Sequence, residues 1–240
     1  ADTDYLQALA RILDQAIGET ADAREAAARL IADAFAQGGL LYAFGTGHSH
    51  LLALDLFYRA GGFAAVNPVL VESLMLHESA SRSSQIERTE ESLESVLEQA
   101  AFQSNDVLLA ISNSGGNAVV VGLVEHAKGC GVPVIVLTSL QHAGSSAARQ
   151  GGTKIHDLAD VIIDNHGRPG DAVIEVGGAM IGPTSTAVGS ALLHAIMARV
   201  GQLLLDRGIE PEVFSSANMA DGDARNATLL AKYDPRIRAL

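Results

Sequence analysis

A parallel β-sheet covered on both faces by helices, a three-layer αβα sandwich behind an N-terminal helical hairpin, is the fold this sequence predicts. Two observations predict it. Short runs rich in Val, Ile and Leu recur between residues 40 and 163 and alternate with helical stretches, the pattern of strands buried on both faces. The points where these runs end are rich in Gly, Ser or Thr, and ligands bind outside the carboxyl ends of the strands in such sheets.

The elements follow in order. Residues 3–36 carry apolar side chains at helical spacing, Leu6, Leu9, Ile12, Leu13 and Ile17, then Leu30, Ile31 and Phe35. Gly18-Glu19-Thr20 interrupts them, with Thr20 placed to cap a second helix, and Gly38-Gly39 ends it. This hairpin reads as a packing or dimerisation surface. Residues 40–44 form the first strand, followed by Gly45-Thr46-Gly47 and a helix over 49–60. A second strand is expected at 63–66 and a polar helix over 84–101. Residues 107–111 make a third strand, then come a glycine turn and a helix reaching 128. The strand at 133–137 ends in Thr138-Ser139, and 161–163 follows after a short helix. A long helix over 186–206 carries Val188, Leu192, Leu193, Ile196 and Val200, and a last helix starts near Ala224. Residues 1–240 are thus one domain: hairpin 1–37, αβα core 38–206, and tail with short helix 207–240.

Composition narrows the class. A 240-residue chain buries a sizeable core without disulfides or metals. With 48% hydrophobic and 18% charged residues it is neither disordered nor fibrous. A formal net charge of -12 argues against nucleic-acid binding but not against a small anion held by backbone N–H groups. The single cysteine, Cys130, has no intramolecular partner and reads as a buried thiol at an apolar helix end. No run approaches the roughly 20 apolar residues of a membrane helix. The start Ala1-Asp2-Thr3-Asp4 lacks the basic and apolar regions of a signal peptide, so a cytoplasmic, membrane-free protein is expected.

The most informative run is Ser112-Asn113-Ser114-Gly115-Gly116-Asn117, which leaves a buried strand and enters a helix. Its hydroxyl and amide groups can donate to phosphate oxygens, its glycines let the main chain come close, and the helix N-terminus adds free N–H groups and a favourable dipole. It contains no lysine and is neither a Walker loop nor a Gly-x-Gly-x-x-Gly fingerprint. An N-cap with a tight turn is the plain alternative.

Here the sequence resembles the SIS (sugar isomerase) domain family, whose loop after a central strand is matched by Ser112, Ser114, Gly115 and Asn117. Gly45-Thr46-Gly47 resembles the family's first loop, and Gly182-Pro183-Thr184-Ser185-Thr186 its turn before the last helix; the likeness covers residues 38–205 in order. The hairpin and tail look like a stand-alone subgroup linked with amino-sugar phosphates, N-acetylglucosamine 6-phosphate especially. The resemblance implies phosphate binding by Ser112, Asn113, Ser114 and Asn117, sugar contacts at Thr46, Gly47 and Ser185, and a homodimer or higher oligomer; no cofactor is expected, since the sequence shows no metal motif. His48, in the first loop, is expected to meet substrate; His48 and His50 point to different faces of a helix start, so no metal site is expected.

Rearranging a phosphosugar requires ring opening and then removal of the C2 proton by a base poised near neutral pH. The resemblance offers Glu78, in a segment that reaches the pocket in lyase-type relatives, and His194, which matches a helix histidine of isomerase-like members. The plain alternatives are a solvated carboxylate for Glu78 and a core histidine for His194, with Glu72 a weaker choice of base. The glutamate that relatives place in the helix after the first loop is missing, and Asp55 is an approximate substitute. Lys232 is only a loose match for the lysine of aminotransferring relatives, so glutamine-dependent amino transfer is not expected. In the tail, residues 214–223 resemble a segment that reaches a neighbouring subunit, with Asn218 and Asp221 the residues to test. The expected function is therefore a dehydratase (lyase) or aldose–ketose isomerase acting on an amino-sugar phosphate, and the rival is a non-catalytic phosphosugar sensor.

Overall fold

The computed structural model describes residues 1–89, 91–146, 148, 151–216 and 222–240. Helices α1 (Asp2–Glu19) and α2 (Ala21–Ala36) form the expected hairpin. They bury Ala8, Ala16, Ala27, Ala28 and Ala32, whose small side chains let helices approach closely. The expected break at Gly18-Glu19-Thr20 falls at its last residue: α1 runs through Gly18 to Glu19, and α2 begins at Ala21. Thr20 donates its hydroxyl back to the Ala16 carbonyl at 2.6 Å instead of capping α2.

The chain continues through β1 (Leu41–Gly45), α3 (His50–Leu56), β2 (Val66–Pro68), α4 (Leu76–Ile86), α5 (Leu93–Gln99) and β3 (Val107–Ile111). Then come α6 (Ala118–Gly129), β4 (Val134–Thr138), α7 (Leu140–Ala143), α8 (Ile155–Leu158) and β5 (Val161–Asp164). These strands form one parallel sheet in the order β2-β1-β3-β4-β5. Side-chain alternation within each strand divides the core. Leu41, Ala43, Leu109, Ile111, Ile135 and Leu137 face the layer that includes α1 and α2. Leu40, Tyr42, Phe44, Leu108, Ala110 and Val136 face the layer of α5 and α6. Each fully buried Val, Leu, Ile or Phe among them contributes about 1.5–3 kcal/mol.

Three sequence expectations about the strands and helices are corrected, and one element is new. The second strand lies at Val66–Pro68, not 63–66; Phe63 instead pairs singly with Val213, and Pro68 is tolerated because β2 is the sheet edge. The helix after the first loop stops at Leu56, because Phe57 is extended and Tyr58 takes φ +40°. The polar helix expected over 84–101 is the separate helices α4 and α5. An antiparallel hairpin, β6 (Ala172–Val176) and β7 (Ala179–Pro183), was not anticipated. Its Met180 and Ile181 are exposed, so the alternation of a half-buried strand is missing.

Helix α9 (Ser185–Asp206) is, against the sequence reading, long and apolar enough to cross a membrane. Its Val188, Leu192, Ile196 and Val200 are instead buried in the core. Helix α10 (Gly222–Tyr233) and the last residues close the second layer. There the Asp106 carboxylate, fully buried, accepts from the Leu40 and Gln103 amides (2.8 and 2.7 Å) and is bridged by Arg236 at 2.9 Å. Cys130, expected to be buried, is exposed: the turn after α6 lifts it out of the core, 3.7 Å from His126 Nε2.

Candidate functional site

The carboxyl ends of β1 and β3 lie side by side, with Gly45 in register with Ile111. In the strand order β2-β1-β3-β4-β5 this is where the chain reverses its direction of winding, leaving a crevice above the strand ends. Gly45 is required there, because a Cβ would come within 2.7 Å of the Ser49 backbone as the first loop folds back.

On the β3 side, Ser112 is buried and its Oγ accepts the Gly115 N–H at 3.1 Å, closing a tight turn. Gly115 has φ +67°, a left-handed conformation that glycine takes without strain. Asn117 then enters α6 with an extended backbone and no capping bond from its side chain. Among the described residues, the N–H groups of Gly116, Asn117 and Ala118 have no protein acceptor. Those free donors and the α6 dipole make a concavity whose chemistry suits an anion. Asn113 is held across the crevice: Asn165, at the end of β5, donates to its Oδ1 at 3.0 Å, and Thr138 Oγ1 donates to its carbonyl at 3.3 Å.

The lysine absent from this run comes from elsewhere. Lys154, only 9% exposed, donates Nζ to the Ser114 carbonyl at 3.2 Å, and the next amide, Ile155 N–H, donates to Gly115 O at 2.9 Å. Nothing in the local pattern Gly151-Gly152-Thr153-Lys154 marks this residue, which reaches the loop only through the fold.

On the β1 side, Thr46 is buried and donates its hydroxyl to Glu87 Oε2 at 2.6 Å, while Gly47 takes φ +55° beside that carboxylate. Glu87 directly follows α4 and was passed over in the sequence as part of a polar helix. His50 is buried with Nδ1 on the Gly47 carbonyl, whereas His48 is exposed, so the two rings diverge. His48, Asn113, Asn165 and Ser185 converge on a recess of about 30 Å³.

Ser185 opens α9 under the control of Asp171. This carboxylate accepts the Thr184 and Ser185 N–H groups (3.0 and 2.9 Å) and the Ser185 hydroxyl at 2.5 Å. Asp171 holds φ +66°, rare outside glycine, in the turn before the unanticipated hairpin. Nearby, the Gly170 N–H donates to His142 Nδ1 at 3.0 Å, which requires that nitrogen to be unprotonated. Burial pushes the His142 pKa down, with the Asp171 charge opposing and the Lys154 charge adding to the shift.

The two residues offered for chemistry lie apart from this recess. His194 sits on α9, where Nε2 meets Asp55 Oδ2 at 2.9 Å; Ser190 donates to the same oxygen at 2.7 Å, and Arg59 bonds the other carboxylate oxygen. Burial raises the Asp55 pKa, but the hydrogen bonds from Ser190 and His194 and the nearby charges outweigh it and hold the group below its ordinary value. Glu78, with its side chain 57% exposed, is 3.7 Å from His77 Nε2 and lines a cavity of about 250 Å³ with Glu72 and Arg82. A larger cavity of about 590 Å³ lies beyond, lined by Ser95, Glu98 and Arg238, and includes no loop residue. Lys232 is bound to Glu212, and Asn218 and Asp221 fall outside the described residues. Among the described residues no group of three His, Cys, Asp or Glu is disposed to hold a metal.

Comparison with known proteins gives the family and the fold. A family model described as SIS domain matches residues 4–139. A UPF0309 protein of Geobacillus thermodenitrificans is 38% identical over 239 residues, 98% of this chain and 96% of the relative. One from Brucella anthropi is 40% identical over 221 residues, covering 91% and 90%. Among solved structures, phosphoheptose isomerase GmhA from Neisseria gonorrhoeae superposes with a TM-score of 0.53 at 20% identity, covering 83% of this chain and 96% of that one. A phosphoheptose isomerase from Francisella tularensis gives 0.54 at 16% identity, with the same coverage. At such identities the likeness is one of fold.

Proposed function

Because this chain belongs to the SIS domain family, we propose that it binds a phosphosugar with the phosphate on Ser112, Asn113, Ser114 and Asn117 and the sugar toward Thr46, Gly47, His48 and Ser185. The observation that carries this reading is the loop itself: a buried strand end, a left-handed Gly115, and free N–H groups at the start of α6. The substrate proposed is N-acetylglucosamine 6-phosphate or a related amino-sugar phosphate.

The chemistry proposed is proton abstraction at C2 of the open-chain sugar. Glu87, the carboxylate the fold brings to Thr46, is the base that fits best; Glu78 is its rival, carried by resemblance alone. If the 3-hydroxyl then leaves with a proton as water, the reaction is a dehydration; if the proton returns at C1, the C2 nitrogen is left as an imine, and a ketose forms only when water adds at C2 and the nitrogen leaves as amine or amide. The His194–Asp55 pair would assist ring opening, which in this chain requires reach from the middle of α9. Self-association is part of the reading, supported by Leu51, Leu54 and Tyr58, exposed apolar side chains near that pair.

Incubation with N-acetylglucosamine 6-phosphate in deuterated water, followed by NMR, tests the proposal. Deuterium at C2 of recovered substrate, a dehydrated product, or deuterium at C1 of a rearranged one is expected. Binding with neither exchange nor product formation would remove the enzyme and leave the sensor, a reading favoured by one observation: neither Glu78 nor His194 lines the recess at the loop.

A further inference from the structure

A phosphate monoester near neutral pH carries close to two negative charges, and the run from Ser112 to Asn117 offers only neutral donors. The fold places a cation against it. Lys154 is almost wholly buried, a position lysine rarely takes unless its charge is paired. Its Nζ lies 3.2 Å from the Ser114 carbonyl. A Cβ on Gly116 would fall 2.9 Å from Nζ and 3.2 Å from Cδ, so the lysine crosses the loop only because residue 116 has no side chain. Gly115 serves the same contact, since a Cβ there would meet His156 Nδ1 and Ile155 Cγ1, each at 3.4 Å. The Ile155 N–H bond to Gly115 O fixes the register of this segment on the loop. His156 Nδ1 is buried beside it and has no hydrogen-bond partner among the described residues.

We propose that Lys154 is the cation of the phosphate site, with His156 Nδ1 as its neighbour, and that the ligand is chosen for a charged phosphate monoester. The inference deepens the phosphosugar reading and rests on it. Two adjacent glycines then have separate duties: Gly115 makes the turn, and Gly116 gives passage to the lysine.

The test is calorimetric titration of the full chain with N-acetylglucosamine 6-phosphate, with inorganic phosphate, and with unphosphorylated N-acetylglucosamine. In Lys154→Met, affinity for both phosphates is expected to fall about 10- to 100-fold, the range for a hydrogen bond to a charged group. The loss of affinity with added salt should also become shallower, and Lys154→Arg should bind better than Lys154→Met. Should the methionine variant not fold, Gly116→Ala reports instead, because its methyl group displaces the ammonium while leaving lysine in the chain. Its φ lies outside the left-handed region, so alanine is accepted there. Wild-type affinity in Lys154→Met, or in Gly116→Ala where that variant is needed, overturns the inference and leaves the phosphosugar reading standing. A wild-type chain that binds neither phosphate removes both.

Discussion

Asp171 concentrates more hydrogen bonds on one carboxylate than any other residue at the α9 end of the site, and replacing it is the sharpest test of how that end is held. Its oxygens take two backbone N–H groups and the Ser185 hydroxyl at the start of a 22-residue helix. Loss of such a cap costs about 0.5–2 kcal/mol, and the carboxylate's interaction with the helix dipole adds about 0.3–1 kcal/mol. Alanine must also adopt φ near +66°, which costs it about 1 kcal/mol. Asp171→Ala should therefore lose about 2–4 kcal/mol, which for a chain of this size lowers the melting temperature by about 4–16 °C. Asp171→Gly loses the cap but takes the backbone geometry freely, so it should fall between alanine and wild type. Asp171→Asn keeps one acceptor and tolerates the left-handed geometry, so it should be the mildest. Differential scanning calorimetry of the four proteins checks the order. An alanine variant melting within about 1 °C of wild type, or a glycine variant less stable than alanine, would refute the account.

Three further outcomes are expected. Glu87→Gln keeps an acceptor for the Thr46 hydroxyl, so stability should change by less than about 1 kcal/mol while C2 exchange falls about 100-fold or more; Glu78→Gln, measured alongside, should leave exchange intact. Arg236→Met strands the fully buried Asp106 carboxylate and should cost about 3–5 kcal/mol in urea unfolding, and a loss below 1 kcal/mol would contradict it. For Asp55 the folded-state pKa lies below its ordinary value, so its contribution is complete above about pH 4 and disappears as pH falls through the folded value. Asp55→Asn should accordingly show a weaker drop in stability between about pH 5 and pH 3 than wild type, and parallel curves would count against that sign.

The fold was largely legible because its strands are buried on both sides. Runs such as Val107–Ile111 and Val134–Thr138 are apolar throughout and bounded by turns, so period and composition agree. The hairpin of β6 and β7 escaped because much of it is exposed, leaving no alternation to read in Ala179–Pro183. At the site, the loop from Ser112 to Asn117 was legible as a local device of strand, glycines and helix start. Lys154, Glu87 and Asp171 were not, because each acts on residues 13 to 41 positions away and carries no local mark. Cys130 was misjudged by one turn of helix: the apolar stretch ends at Ala127, and the Gly129-Cys130-Gly131 turn faces water.

Taken together, the charges give the crevice a direction. Lys154 stands at the α6 end, whereas Asp171 holds the start of α9 and Glu87 stands beside the first loop. Two unit charges 4 Å apart interact by about 4 kcal/mol at an effective dielectric of 20, enough to decide which end of a ligand goes where. A phosphate seated on the α9 N-terminus would meet the Asp171 carboxylate, which already occupies the N–H groups it needs. On the α6 N-terminus it meets free N–H groups and an ammonium. The Ser185 hydroxyl, its hydrogen committed to Asp171, can only accept from a ligand, so that end suits a sugar hydroxyl or amide N–H. On the proposed reading, the same carboxylate that stabilises the last helix would orient a phosphosugar with its phosphate on α6 and its C2 toward Glu87.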